Sequence, residues 1–410
     1  MNILYINHYA GSIHHGMEYR PYYLAREWVK LGHNVTIVAS SYSHLRKKNI
    51  KINLIHRYFE EKIDGINYIW CKTPDYQGNG YRRAINIFLF LHRLRALIPK
   101  LLKEVKPDLV IASSTYPFDT KTAKAIADKA HAKFIYEIHD LWPLTPIELY
   151  GMSRNHPYIY WMQKAEDFGY KNADKVISLL PNVDDYMISR GMDTSKFVYI
   201  PNGINLDEWQ MKNLSLFEDM ANSIEKIRKV FKFIVGYSGS IGESNALDYL
   251  IDAAIKSPRI AVILVGDGVN KLQLQKKVMQ SGNENIFFFP PIAKSMIPDF
   301  LSKMDALYIG WNNIPIYRFG ISPNKIFDYM MAKKPILHSI TTGNDPVAES
   351  NCGLSVPAAN VTAITQALEK FSLMSKDELE QLGQNGYDYV MKNHEYKMLA
   401  QKFLDVCVNA

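Results

Sequence analysis

Twice along this chain, short apolar runs alternate with helical patterns, and that rhythm leaves few folds open. Asn2–Asn7, Asn34–Ala39, Ile66–Cys71, Asp108–Ser113, Phe134–Ile138, Lys175–Leu180 and Phe197–Ile200 read as strands. Phe233–Tyr237, Ala261–Val265, Ile286–Phe289, Ala306–Ile309, Pro335–His338 and Leu354–Val356 repeat the series. Many are continuous apolar runs, as strands buried on both faces require. Helical patterns such as Tyr19–Leu31 and Thr120–His131 stand between them, which makes βαβ units of a parallel sheet. A turn signal, Pro201-Asn202-Gly203, divides the two series ahead of a polar, helix-prone stretch over 207–232. The fold class is therefore α/β, with two Rossmann-like, doubly wound domains expected to face each other across a cleft. Residues 1–205 and 206–386 form the domains, meeting near Ile200–Asp207. Residues 387–410 form a helix returning to the first domain. At 410 residues the chain exceeds what one core supports.

Composition narrows the function. The 47% hydrophobic and 22% charged content is that of a globular protein. Cys71, Cys352 and Cys407 have no metal-ligand spacing and frame no disulfide set, which fits a reduced, cytoplasmic setting. The opening MNILYINHYAG reads as a first strand rather than a signal peptide. No apolar run approaches the roughly 20 residues a spanning helix needs. A net charge of +7 favours anionic partners, but no basic run with interleaved aromatics points to nucleic acid.

Ligands of open α/β sheets bind beyond the carboxyl ends of the strands, so those loops hold the candidate residues. In the stretch Gly320 to Pro335, Ser322 is expected to cap a helix, with Pro323, Asn324 and Lys325 in its first turn. Such a helix start is an anion site to which Lys325 adds charge, and Asp328 lies three residues on. An ordinary capped helix with a surface Lys–Asp pair is the other reading. Small, flexible or anion-friendly stretches follow further strands: Gly239 and Ser240, then Gly266 and Asp267, then Pro291 and Ile292. A row of such loops along one edge suits a nucleoside diphosphate. Gly16 opens a helix after the first strand, without the GxGxxG pattern of a dinucleotide site. His139 and Asp140 follow the strand Phe134–Ile138. There His139 either meets a substrate hydroxyl or satisfies a buried backbone group. His14 and His15 lack a partner at ligand spacing, and no DxD-like pair stands at a strand end, so no metal is expected. Tyr81–Leu102 is basic and amphipathic. Either it lies on an acidic membrane surface through Arg82, Arg83, Phe88 and Arg93, or it is a core helix with basic flanks.

Several of these motifs, in order, resemble a family. They are the Gly16 loop before Gly32-His33-Asn34-Val35, Ile200-Pro201-Asn202-Gly203-Ile204, Leu264-Val265-Gly266-Asp267-Gly268, and the helix ending in Lys334-Pro335. The chain resembles the retaining GT-B glycosyltransferases of family 4. His139-Asp140-Leu141-Trp142-Pro143 together with Ser322-Pro323-Asn324-Lys325 is similar to the branch transferring N-acetylfucosamine-type amino sugars in O-antigen and capsule assembly. The resemblance implies a UDP-sugar in the second domain and the acceptor in the first, a saccharide or an undecaprenyl-diphosphate-linked one at the inner membrane. It implies that Asp328 holds the ribose hydroxyls, that Pro291–Lys294 reads the base, and that Gly320, Ile321, Ser322, Pro323 and Asn324 border the donor. The family's first acid falls on Gly320, and its Arg and Lys fall on Ser240 and Asn245. Lys325 and Arg318 are the expected replacements, with His139 and Asp140 beside the reacting sugar. A nucleotide-sugar 2-epimerase and a non-catalytic nucleotide-binding protein of this fold are the rivals. A nicotinamide dehydrogenase is disfavoured by the missing glycine fingerprint.

Overall fold

The computed structural model describes residues 1–53, 55–78, 80–210 and 214–408, and these form two compact units. One contains Met1–Asn202, Phe319–Ser322 and Tyr396–Ala410; the other contains Gly203–Arg318 and Pro323–Glu395. Residues 211–213 of the predicted 207–232 stretch, and 409–410 of the closing helix, lie outside the described residues.

The first unit is built on eight strands: β1 (Asn2–Ile6), β2 (Asn34–Ser40), β3 (Tyr58–Ile63), β4 (Ile66–Cys71), β5 (Leu109–Ala112), β6 (Lys133–Ile138), β7 (Lys175–Ser178) and β8 (Phe197–Tyr199). Their order is β3-β4-β2-β1-β5-β6-β7-β8, parallel except for the β3–β4 hairpin. Sequence reasoning passed over β3 because Glu60, Glu61 and Lys62 break any apolar run. The central strands are the predicted ones, and Ile3, Leu4, Tyr5 and Ile6 are fully buried.

The helix Arg20–Lys30 covers one face of this sheet and is itself covered by the helix Tyr396–Val408. Trp28 Nε1 donates to the Ala400 carbonyl at 3.0 Å, and its ring meets Phe403 at 5.1 Å. Tyr23 and Tyr396 meet at 4.9 Å. Each such pair adds roughly 0.5–1.5 kcal/mol beyond its buried area. The C-terminal segment is thus fastened to the first unit, but not as one helix from Tyr387. Helix Lys376–Asn393, which begins at the predicted Ser375–Glu378 capping box, stops at His394. There the His394 carbonyl accepts the Ile204 N–H at 2.7 Å and its ring stacks on Phe327 at 4.1 Å. Those bonds replace the next helical turn.

The second unit carries β9 (Phe233–Ser238), β10 (Ile260–Val265), β11 (Ile286–Phe289), β12 (Ala306–Gly310), β13 (Ile336–Ser339) and β14 (Gly353–Val356). Their order is β11-β10-β9-β12-β13-β14, all parallel. Helices pack on both faces, giving two apolar clusters divided by the sheet. Both units are therefore Rossmann-like α/β domains.

Candidate functional site

In the second unit, the loops after β9, β10 and β11 are tied to one another by their own backbone. Gly239 N–H donates to Val265 at 2.9 Å, Ile241 N–H to Asp267 at 2.8 Å, and Gly266 N–H to Phe289 at 3.3 Å. These amides, expected to serve a phosphate, are therefore engaged within the loops. What the loops offer is a floor braced by its own backbone, with Lys325 packed against Gly239.

The cation above that floor is Lys325. Its Nζ donates to Tyr237 Oη at 2.8 Å and to Asn245 Oδ1 at 3.2 Å, and lies 4.0 Å from the Tyr237 ring centroid. Tyr237 Oη and Asn245 Nδ2 both donate to the Ser240 carbonyl, at 2.5 and 3.0 Å, so the holders are themselves held. Gly239 is what lets the ammonium come so near: a Cβ there would stand 2.9 Å from Nζ. Asn245, where the resemblance marks a missing lysine, is thus where the Lys325 ammonium arrives. The charge has changed its place in the sequence. Burial lowers this ammonium's pKa to about 7, with Asp328 opposing.

Lys325 sits on the helix Asn324–Met331, whose start differs from expectation. Pro323 occupies the cap position with extended backbone, and no side chain caps the helix. The Ser322 hydroxyl instead accepts the Asn202 N–H at 2.8 Å, while Asn202 Nδ2 donates to the Ser322 carbonyl at 2.7 Å. A hydroxyl already accepting from a distant segment cannot also turn to its own helix. Ser322, Ile321 and the buried Gly320 accordingly belong to the first unit, and Pro323 opens the return to the second.

One turn along, Asp328 Oδ1 accepts from Trp209 Nε1 at 3.4 Å. Burial raises its pKa to about 6 against the pull of Lys294, which also pairs with Glu208 at 2.5 Å. Pro291 is exposed and Ile292 packs on the core below. Asp267 is exposed and accepts the Gly268 N–H at 2.9 Å. Arg318 turns back on its own turn, donating to the Pro315 carbonyl at 2.7 Å. Tyr237 and Trp209 went unnoticed in the sequence, since nothing in an aromatic's spacing reveals which cation or acid it will hold.

In the first unit, Gly16 has φ 102°, and a Cβ on it would stand 2.9 Å from the Lys47 amide nitrogen. It closes a turn with Ser12 and bridges to Arg46, which accounts for the glycine without a ligand. His139 and the exposed Asp140 follow β6 as predicted. Beneath His139 lies a buried cluster that the sequence did not announce. Glu137 and Arg20 pair at 2.9 Å with side chains 0% and 1% exposed, and Tyr5 and Ser113 donate to Glu137 at 2.5 and 2.6 Å. Arg20 also donates to the carbonyls of Pro201 and Ile200, at 2.6 and 3.0 Å. Arg20 and the hydrogen bonds to Glu137 outweigh burial and hold its carboxyl well below the usual range.

The basic helix spans Tyr81–Ala96, with Ile87, Phe90, Leu91 and Leu94 inward. Arg82 and Phe88 are on its outer side, Phe88 44% exposed. Arg83 instead turns inward, donating to Tyr9 Oη at 3.1 Å and lying 5.8 Å from the Trp142 ring centroid. Arg93 donates to the Arg57 carbonyl at 2.8 Å. A guanidinium presents five donors, so a neighbouring carbonyl or ring draws it out of the solvent face. Among the described residues no helix is long and apolar enough to cross a membrane, and no group of three or more His, Cys, Asp or Glu residues is placed to hold a metal.

Comparison with known proteins bears on this arrangement. Residues 14–208 match the model of Glycosyltransferase Family 4, and residues 232–372 that of Glycosyl transferases group 1. WcaI of Escherichia coli (strain K12), named for colanic acid biosynthesis as a glycosyl transferase, is 24% identical over 205 residues. That alignment covers 49% of this chain and 50% of WcaI, so it spans about half the length of that relative. Sucrose-phosphate synthase from Thermosynechococcus elongatus superposes with a TM-score of 0.71 at 15% identity, over 98% of this chain and 97% of that one. Anabaena HepE, in complex with UDP and glucose, gives 0.66 at 14% identity, with both chains covered fully (100%). The chain thus matches a glycosyltransferase family model in each half, and its two-sheet fold is that of the GT-B glycosyltransferases.

Proposed function

We propose that this chain is a retaining glycosyltransferase. It moves an N-acetylated amino sugar from a UDP-sugar to a saccharide, or to an undecaprenyl-diphosphate-linked saccharide, in O-antigen or capsule assembly. The observation that carries this reading is the Lys325 ammonium, pinned by Tyr237 and Asn245 over Gly239 at the carboxyl edge of a parallel sheet. The UDP and glucose in HepE, and the colanic acid biosynthesis in WcaI's name, support the class of donor and product.

The difficult step is breaking the bond between the anomeric carbon and the diphosphate. The diphosphate leaves with the electron pair, so charge grows on its oxygen, and Lys325 with the amides opening its helix meets that charge. The acceptor oxygen forms its bond on the face being vacated, and its proton passes to the departing phosphate. Asp328 accepts from the ribose hydroxyls.

The test incubates the protein with UDP-N-acetylglucosamine, other UDP-amino sugars and UDP-glucose, with a lipid-diphosphate saccharide as acceptor, and reads product and anomeric configuration by NMR. Transfer with retention is expected, at full rate in excess EDTA because Lys325 supplies the charge. Abolition by the chelator contradicts the metal-independent mechanism. UDP binding without transfer from any donor favours the non-catalytic reading. An epimer formed from UDP-N-acetylglucosamine alone favours the epimerase.

The acceptor's lipid gives the helix Tyr81–Ala96 a role. Tyr81, Ile85 and Phe88 are 72%, 51% and 44% exposed along one face, beside exposed Arg82 and Arg95. This basic, aromatic face complements an anionic bilayer, at about 1 kcal/mol per cation. The double variant Arg82→Glu with Phe88→Ser should bind phosphatidylglycerol vesicles about tenfold or more weakly in sedimentation. Unchanged binding removes this helix from the account.

A further inference from the structure

The hydrogen bonds beneath His139 fix which of its ring nitrogens faces a substrate. Asn7 Oδ1 accepts the Tyr9 N–H at 3.0 Å, so the amide's other end, Nδ2, is the group that reaches Ser113. It donates to the Ser113 carbonyl at 2.7 Å and to Ser113 Oγ at 3.2 Å. Ser113 Oγ has one proton, and Glu137 Oε2 lies 2.6 Å away. Glu137 is paired with Arg20 and accepts from Tyr5, so it is a carboxylate with no proton to give. The serine proton therefore points to Glu137. One Oγ lone pair serves Asn7, and the other faces His139 Nε2 at 2.9 Å. Nε2 is also 3.2 Å from Glu137 Oε2. A nitrogen with two acceptors in reach and no donor aimed at it must carry the hydrogen.

Resting on the function proposed above, we infer that Glu137 and Ser113 are positioning residues that hold the His139 proton on Nε2, leaving Nδ1 as an acceptor for a sugar hydroxyl. No hydrogen bond among the described residues engages Nδ1. The arrangement orients the ring through a buried carboxylate and assigns opposite roles to its two nitrogens. A tautomer, unlike a titration midpoint, is set by the nearest acceptors.

The experiment is nitrogen-15 NMR of the full chain's histidines at pH 8, with His139 assigned by its loss in His139→Gln. A protonated Nε2 and a bare Nδ1 are expected. Ser113→Ala keeps the Arg20–Glu137 pair and so tests the bond to Nε2 without exposing a buried charge. Glu137→Gln replaces the carboxylate 3.2 Å from Nε2 and should let the ring proton distribute between Nε2 and Nδ1. A merely structural role moves neither signal. A proton on Nδ1 in the native protein overturns the inference, and so does an unchanged division of the proton between the two nitrogens in both variants. A further shift of Nδ1 on adding UDP-glucose assigns the hydroxyl to the donor. A shift only when free glucose follows assigns it to the acceptor. These signals need no turnover, so they stand or fall separately from the transferase reading.

Discussion

Lys325→Ala is expected to lower turnover on a UDP-sugar about a hundredfold or more while leaving the fold intact. Removing one donor that meets developing negative charge costs about 3 kcal/mol in preorganised sites. The side chain is half-buried and bonds only to neutral groups through Nζ, so truncation strands no buried charge. Tyr237 keeps its bond to the Ser240 carbonyl. The effect should fall on kcat more than on KM, because the charge is largest as the bond breaks. A loss confined to KM places Lys325 in ground-state binding, and undiminished turnover removes it from the site. The same group sets a pH dependence. With its pKa near 7, the amine is mostly neutral in the free protein at pH 8.5. A bound diphosphate favours the ammonium, so binding takes up a proton. Affinity should then be full below about pH 7 and weaken as pH rises, by up to tenfold per unit until the complex's own pKa is reached. Calorimetry with UDP-glucose, whose phosphates keep their charge across this range, reads the slope, and Lys325→Ala should flatten it.

Gly266→Ala is the substitution expected to damage the second unit most. Gly266 has φ 152°, and a Cβ there would stand 1.8 Å from the Gly239 carbonyl oxygen. The neighbour is backbone, which cannot swing aside as a flexible side chain would. Strained backbone costs about 1–3 kcal/mol and overpacking about as much again, so roughly 4 kcal/mol is expected. Gly239 is also the residue beside Lys325, so the displacement carries to the proposed diphosphate site. A fall in melting temperature together with loss of UDP binding is the expected outcome. Gly242→Ala is the control within the same loop: φ is −124° and the nearest contact is an ordinary 3.4 Å to Ser240 Oγ. It should change stability by no more than about 0.5 kcal/mol. Equal effects from the two glycines contradict the steric argument.

Much of the fold was legible because burial on both faces leaves a pattern in the strands themselves. Thirteen predicted strands appear within a residue or two of their places, from β1 to β14, and the Ser375–Glu378 capping box forms as read. The missed strand, β3, has a polar outer face and so no apolar run. Its signal was the Asp64-Gly65 pair, whose φ values of 47° and 83° suit a tight hairpin turn. Ser322 misled for a different reason. A serine before a proline and a helical run is a sound local cap signal, but Asn202, 120 residues away, took the hydroxyl.

The candidate site divides along the same line. Sequence alone determined that there are two largely parallel α/β sheets, that glycines follow several of their strands, that Lys325 and Asp328 share one helix three residues apart, and that His139 follows a strand. Those properties follow from periodicity and spacing, which are local. Tertiary structure alone decided that Lys325 comes to rest beside Asn245, that Arg318 folds back on its own turn, and that Glu137 and Ser113 lie under His139. Each depends on which donor meets which acceptor once distant strands are in register. A one-dimensional pattern carries no record of that pairing.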